Sequence, residues 1–338
     1  MRAISLIRPE QIEIVDIPEP EIGPEDVLVA VHFVGLCGSD LNAYRGLSPM
    51  VIYPRLLGHE VSGMVAGKGT QVPATIELGA RVTISPYTEC GTCPACRIGR
   101  TNCCQFNQTL GVQRDGALTE RIVIHHSKVF ASAELSAEEM ALVEPISVGY
   151  HAANRGRICE TDCVLVLGCG TIGLGAVAAA ARKGETVIGV DVDDAKLELA
   201  CKLGARHTIN STRENAAAGI ANLTNKEGVN VAIEAVGLPA TYRMAVESVA
   251  YAGRVVCIGY AKEEVSFPTR LFVSKELDIL GARNALHVFP SVIRMLEERR
   301  RPFTDLITRV TPFADTAQAF ADWNAAPGKF TKILVHVA

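Results

Sequence analysis

Residues 164–173 read VLVLGCGTIG, an apolar run followed by glycines at 168, 170 and 173 and then an alanine-rich stretch. No other segment restricts the fold as much. A G-x-G-x-x-G motif between a strand and a helix calls for a β-turn-α unit. Gly168 makes the tight turn, Gly170 lets the backbone approach a pyrophosphate, and Gly173 lets the helix pack closely. Thr171 and Ile172 stand where the helix opens, so its N-terminus faces the phosphates. The next apolar run, TVIGV, ends in Asp191, where a carboxylate accepts hydrogen bonds from the adenosine ribose hydroxyls. Asp193 and Asp194 follow, and no arginine stands directly after Asp191 to receive a 2′-phosphate, so NAD is expected rather than NADP.

The rhythm around this motif extends it to a domain. From Cys163 to about Leu280, apolar strands (CVLVLG, TVIGVD, VAIEAVG, RVVCIG, LDILG) alternate with helical stretches such as AKLELACKLGA, the pattern of a doubly wound parallel α/β sheet. From Ile12 to His125 the texture differs. Short β-rich runs (VLVAVHFVG, VSGMVAG, RVTISP, TERIVIH) are separated by Gly, Pro and Asp, which reads as all-β. SAEEM, from Ser136, is a capping-box pattern opening a helix toward Glu144. After Ala282 come a helix (FPSVIRMLEERR), an extended run and a terminal strand, KILVHV. The expected organisation is a nucleotide domain at 147–283 inserted into a β-rich domain made of 1–146 and 284–338.

The chain has 11 cysteines, and Cys90, Cys93, Cys96, Cys103 and Cys104 crowd one loop, CGTCPACRIGRTNCC. The spacing C-x2-C-x2-C-x7-C of Cys90, Cys93, Cys96 and Cys104 suits four thiolates around a tetrahedral zinc. With no position left for water, the site is structural. Cys103 is the alternative fourth ligand. A second constellation is dispersed: Cys37 in GLCGSD, His59 and Glu60 in LGHE, and Glu144 in VEPISVGYH. Each residue alone reads equally as core or strand-end chemistry.

Taken together, GLCGSD, GHE, the four-cysteine loop, EPISVGYHA, the glycine motif and the late GARNA resemble, in order and spacing, the zinc-containing medium-chain alcohol dehydrogenases over essentially the whole chain. The resemblance implies a Rossmann nucleotide domain inserted into a GroES-like catalytic domain, two zinc ions per chain and NAD. It implies a catalytic zinc on Cys37 and His59, with Glu60 and Glu144 completing or exchanging within its shell beside water. It also implies that the Ser39 hydroxyl relays the alcohol proton. Glutamate at 144, where many members have cysteine, is typical of the sorbitol and threonine dehydrogenase branch. GRTNCC, GVQRDGALTE and GARNA are most similar to bacterial hexonate 5-dehydrogenases of the L-galactonate or L-gulonate type. The resemblance places Arg114, Arg283 and Asn284 near the substrate, with either arginine suited to a carboxylate. One departure stands out: Asn42 occupies the place where the family often has histidine, and asparagine does not titrate.

The expected activity is therefore zinc-dependent, NAD-linked oxidation of a secondary alcohol on a sugar acid. A polyol or L-threonine 3-dehydrogenase is the alternative, and a zinc- or redox-sensing binding protein is the reading outside enzymes. A net charge of −4 gives no reason to expect nucleic acid or an anionic membrane as partner. The basic run Arg299-Arg300-Arg301 reads as a solvated helix end. The opening MRAISLIRPE lacks a signal-peptide pattern, so the expected state is a soluble, cytoplasmic homo-oligomer, dimer or tetramer, acting on a small molecule.

Overall fold

The computed structural model describes residues 1–338 and divides them into two compact units. One comprises Met1–Glu144, Phe289–Arg299 and Phe303–Ala338; the other comprises Pro145–Val288 and Arg300–Pro302. No helix is long and apolar enough to cross a membrane.

The first unit begins with β1 (Arg2–Arg8), β2 (Gln11–Asp16) and β3 (Asp26–Leu36), followed by the short helix α1 (Gly38–Tyr44). Next come β4 (Arg55–Leu56), β5 (Glu60–Lys68), β6 (Arg81–Ile84), α2 (Pro94–Arg97), β7 (Arg121–His125), β8 (Val129–Ala131) and α3 (Ala137–Arg155). In β3, residues 27, 29 and 31 are buried and their neighbours are half-exposed, the period-2 signature of a strand with one face on a core. Val27, Val29 and Val31 pack with Val61, Val65, Val82 and Ile84 from β5 and β6. The expected capping box opens α3: Ser136 N donates to Glu139 Oε2 (2.7 Å) and Glu139 N donates to Ser136 Oγ (3.2 Å). The all-β reading misses α1. Asp40 initiates it by accepting from Cys37 N (2.9 Å), a carboxylate at the third helical position reaching back to the cap.

The second unit alternates β9 (Cys163–Leu167), α4 (Thr171–Ala180), β10 (Thr186–Asp191), α5 (Asp194–Lys202), β11 (His207–Asn210), α6 (Ala216–Leu223), β12 (Val229–Glu234), α7 (Pro239–Ser248), β13 (Val249–Cys257), α8 (Arg270–Ser274) and β14 (Asp278–Gly281). Its six strands are all parallel, in the order β11-β10-β9-β12-β13-β14. Val164, Leu165, Val166 and Leu167 are all fully buried, as in a sheet covered on both faces.

The chain then returns to the first unit through α9 (Phe289–Glu297), β15 (Ile307–Pro312), α10 (Thr316–Ala325) and β16 (Lys332–His336). α10 corrects the expected extended run: Ala319, Phe320 and Trp323 bury one face at helical spacing. β16 pairs with β3, completing a seven-stranded sheet in which β16, β3 and β5 are neighbours. The basic run is not simply solvated either. Arg299 pairs with Glu139 and donates to Glu134 O (2.7 Å), and Arg301 fills the space where Gly204 lacks a side chain.

Candidate metal centres and dinucleotide site

Three adjacent strands bring one end of the first unit's sheet to a focus. Leu36 ends β3, Cys37 follows it, Glu60 opens β5 opposite Gly35, and Lys332 opens β16 beside Leu36. The Cys37 sulfur, a His59 ring nitrogen and a Glu60 carboxylate oxygen lie within 4.8 Å of one another. Gly35 makes room for this, since a Cβ there would stand 2.1 Å from Glu60 Oε2. A soft sulfur, an imidazole and a carboxylate suit a zinc ion with an open position.

Lys332, which the sequence reading missed, is the counter-ion of this centre. It is 3% exposed and Glu60 is 1% exposed. Lys332 Nζ donates to Glu60 Oε1 (2.8 Å), Glu60 Oε2 (2.6 Å) and Leu36 O (3.0 Å), using all three ammonium protons. Burial by itself would lower the Lys332 pKa, but Glu60 and then Cys37 outweigh it and hold the value above normal.

Asp40, also buried, binds Cys37 N through one oxygen and faces His59 Nδ1 at 3.8 Å with the other. Neither Asp40 Oδ1 nor His59 Nδ1 has a hydrogen-bond partner. The imidazole thus has a buried carboxylate behind it, the arrangement that orients metal-bound histidines. Burial pulls His59 down, yet Asp40 and Cys37 raise it well above 6.5. A site without a metal thus favours a proton where a cation would sit.

Glu144 is buried beside this group but is not one of the three residues whose ligand atoms converge. The phenol of buried Tyr87, another residue the sequence reading did not single out, donates to Glu144 Oε1. Burial pushes Glu144 up to about 7 against the pull of His59, and Glu60 adds to the rise. Ser39 is half-buried on the first turn of α1, and Asn42 lies one turn further on.

The four-thiolate cluster forms separately. Cys90, Cys93, Cys96 and Cys104 place their sulfurs within 4.8 Å of one another. Backbone amides of Cys93 and Phe106 donate to the sulfurs of Cys90 (3.3 Å) and Cys104 (3.4 Å), as does Cys90 N to Cys104 (3.4 Å). Amide bonds stabilise thiolates, and those to Thr92 and Cys93 hold Cys90 down at about 6. Burial drives Cys96 up to about 12, the cost of crowding thiols without a cation. Cys103 instead receives Arg100 Nη2 (3.8 Å) and is not among the four residues whose sulfurs converge.

In the second unit Gly168 has φ of 92°, and a Cβ on Gly173 would lie 1.8 Å from Gly168 O, so both positions require glycine. A Cβ on Gly170 would meet nothing within 4 Å: the turn is open where a pyrophosphate would approach. The first bond of α4 runs from Leu174 N to Gly170 O (2.8 Å), so Thr171, Ile172 and Gly173 form its opening turn ahead of the ladder. Asp191 ends β10. Its carboxylate accepts from Cys169 N (2.6 Å), Val192 N (2.7 Å) and Asp193 N (3.1 Å), which fixes it next to the phosphate turn. These features fit a dinucleotide.

The expected substrate residues are not brought together in one unit. Arg114 is in the first unit, half-buried, and its Nη2 is 3.5 Å from Pro86 O. Arg283 is exposed in the second unit. Beside it Asn284 has φ of 53° and a buried Nδ2 without a hydrogen-bond partner.

Residues 23–134 match the alcohol dehydrogenase GroES-like domain, and residues 171–298 match the zinc-binding dehydrogenase domain. The chain belongs to the zinc-type medium-chain alcohol dehydrogenases, and it is an oxidoreductase acting on CH–OH groups within their polyol- and sugar-type members. Among its relatives, sorbitol dehydrogenase of Bacillus subtilis strain 168 is 37% identical over 303 residues, 88% of this chain and 86% of that protein. L-galactonate-5-dehydrogenase of Escherichia coli K12 is 32% identical over 306 residues, 90% and 89% of the two chains. An Escherichia coli CFT073 alcohol dehydrogenase in complex with NADH superposes with a TM-score of 0.91 at 29% identity, over 100% of this chain and 99% of that one. A zinc-binding dehydrogenase of Sinorhizobium meliloti 1021 bound to NADP gives 0.92 at 29% identity, over 99% of both chains.

Proposed function

We propose that this enzyme oxidises a secondary alcohol of a sugar acid, a hexonate of the L-galactonate or L-gulonate type, to the keto product with NAD. The observation that carries the carboxylate is Arg114. Three other partly buried arginines have acidic partners (Arg55 has Asp115, Arg254 has Asp162, and Arg309 has Asp322), and Arg45 and Arg81 instead donate to the neutral oxygens of Asn324 and Leu135. Arg114 has only the long contact to Pro86 O, and its buried Nε has no acceptor. A half-buried guanidinium in that state is a receptor for an anion. It is also close to the chemistry, since Pro86 precedes Tyr87, which holds Glu144.

Cys37, His59 and Glu60 would hold a zinc ion, which would supply Lewis acidity toward the alcohol oxygen, and the Gly168–Gly173 turn with Asp191 would hold NAD, which would supply the hydride acceptor. Lys332 pairs with Glu60, Asp40 stands behind His59, and Tyr87 donates to Glu144. Ser39 would relay the alcohol proton, accepting it as its own hydroxyl proton passes outward to water; Asn42 does not titrate and is no further station on that path. The second zinc, on Cys90, Cys93, Cys96 and Cys104, is structural. Its thiolates call for the reducing cytoplasm.

Activity on hexonates and their alditols tests this reading. The hexonate is expected to be better by at least about tenfold in kcat/KM, since a charge-assisted pair contributes about 1.5–3 kcal/mol. Arg114→Met is expected to erase that preference mainly through KM. Equal efficiency on acid and alditol refutes it. A general polyol dehydrogenase is the second reading, favoured by the higher identity to the sorbitol enzyme, 37% against 32%. L-Threonine, which also carries a carboxylate, belongs in the same panel. We also propose a homo-oligomer built from copies of this chain. The outer edge of β14 has no strand partner and carries exposed Ile279, a surface that a second copy would cover. Light scattering showing a monomer would refute this.

A further inference from the structure

A third group of metal-ligating side chains stands in the first unit, outside both clusters described above. Glu25 precedes β3, and His125 and His126 stand where β7 ends. One ring nitrogen of each histidine and a Glu25 carboxylate oxygen lie within 4.8 Å of one another. The ladder between β3 and β7 brings them together. Asp26 faces His125 in it, and the pairing runs one step further, with His126 N donating to Glu25 O (3.0 Å). Successive residues of a strand point to opposite faces, so two adjacent histidines in a continuous strand would be separated. Here the strand stops: His125 caps a single 3-10 turn, His126–Lys128, and the two imidazoles stack with their centroids 4.5 Å apart.

The charges around the group leave it available to a cation. His125 Nε2 is 3.8 Å from Glu25 Oε1. Lys128, the basic residue that follows closely in the chain, pairs with Glu89 instead. Ser127 Oγ lies 2.8 Å from His125 Nδ1 and accepts from it when that nitrogen carries the ring proton, the tautomer that leaves the Nε2 lone pair toward Glu25. In the other tautomer Ser127 N donates to the same Nδ1 (3.2 Å), so a cation on Nε2 would select the first. Two ligands of one tetrahedral zinc, each about 2.0–2.1 Å from it, stand about 3.3 Å apart. Rotation of exposed side chains covers the remaining distance, and those of His125 and Glu25 are 44% and 58% exposed.

We propose that Glu25, His125 and His126 form a further, exchangeable site for a divalent transition-metal ion, zinc foremost, which ties the start of β3 to the end of β7. Two imidazoles and one carboxylate suit zinc, nickel or copper(II), whereas magnesium and calcium favour all-oxygen sets. Water fills the positions that three protein ligands leave. The exposure of the group lets its ion equilibrate with solution.

The proposal is independent of substrate and coenzyme. The enzyme is saturated with zinc, gel-filtered so that only tightly held ions remain, and titrated with zinc chloride by calorimetry. One further equivalent is expected to bind, and none with magnesium chloride. Changes outside the ligand shell cost metal sites about 10–100-fold in affinity, so loss of a ligand itself, in His125→Ala, His126→Ala or Glu25→Ala, is expected to weaken this equivalent by at least about tenfold. The zinc retained through gel filtration and the turnover are expected to stay as in wild type, since all three residues lie outside both cysteine-containing clusters. A measurement on the wild type alone decides the matter if a variant does not fold: added zinc is expected to abolish carbethoxylation of His125 and His126 by diethyl pyrocarbonate, read by peptide mass spectrometry. Absence of a further equivalent, an equivalent of unchanged affinity in all three variants, or equal modification of both histidines with and without zinc overturns the proposal.

Discussion

Replacing Lys332 with methionine keeps the length of the side chain and deletes its charge. Glu60 would then be left 1% exposed with neither oxygen bonded to a cation, and Leu36 O would lose its donor. Removing one partner of a buried ion pair costs about 3–5 kcal/mol, because the surviving charge stays in a low-dielectric site. For a unit of this size that amounts to a fall in Tm of roughly 6–20 °C. Bound zinc would supply an alternative positive charge, so the deficit is smaller in the zinc-loaded than in the chelated protein. Urea unfolding of both forms, completed by Glu60→Gln in a double-mutant cycle, measures the pair directly. A Lys332→Met protein within about 1 kcal/mol of wild type, with or without zinc, would refute the ion-pair reasoning.

Three further outcomes follow from the same geometry. Cys93→Ser is expected to lose one zinc by metal analysis along with stability, whereas His59→Ala keeps its fold and loses turnover; an active His59→Ala protein removes that residue from the chemistry. In the zinc-free protein Glu144, raised to about 7, contributes stability below about pH 4.5 that is lost as pH rises through about 7, roughly 3 kcal/mol for the shift. Glu144→Gln should flatten that part of the pH-stability curve, and an unchanged slope would assign it to another group. Asp191→Ala should narrow the gap between NAD and NADP in kcat/KM, and a wild type equally efficient with both would contradict the role given to this carboxylate.

What was legible in the sequence divides by the distance over which the information acts. Gly168, Gly170, Gly173 and Asp191 belong to one β-α-β unit, and the four cysteines belong to one loop, so chain geometry over a few residues dictates their meaning. Even the overlooked α1 had a local signal, because Asp40 stands at the position from which a carboxylate reaches back to the Cys37 amide. Lys332 had no such signal. Its partner Glu60 is 272 residues away in the chain, and the pair exists because β16 docks on β3 while β5 docks on the other side. Alternation of apolar residues fixes the face a strand buries but says nothing of its neighbour. The same limit applies to Tyr87 with Glu144, 57 residues apart. Arg114 is a different case, since its meaning lies in what it lacks. A half-buried guanidinium whose Nε has no acceptor can be recognised only once its surroundings in the fold are known. The residues that converge in the two clusters and the glycine turn were therefore readable from the chain, whereas the neighbours that hold them in place needed the sheet register.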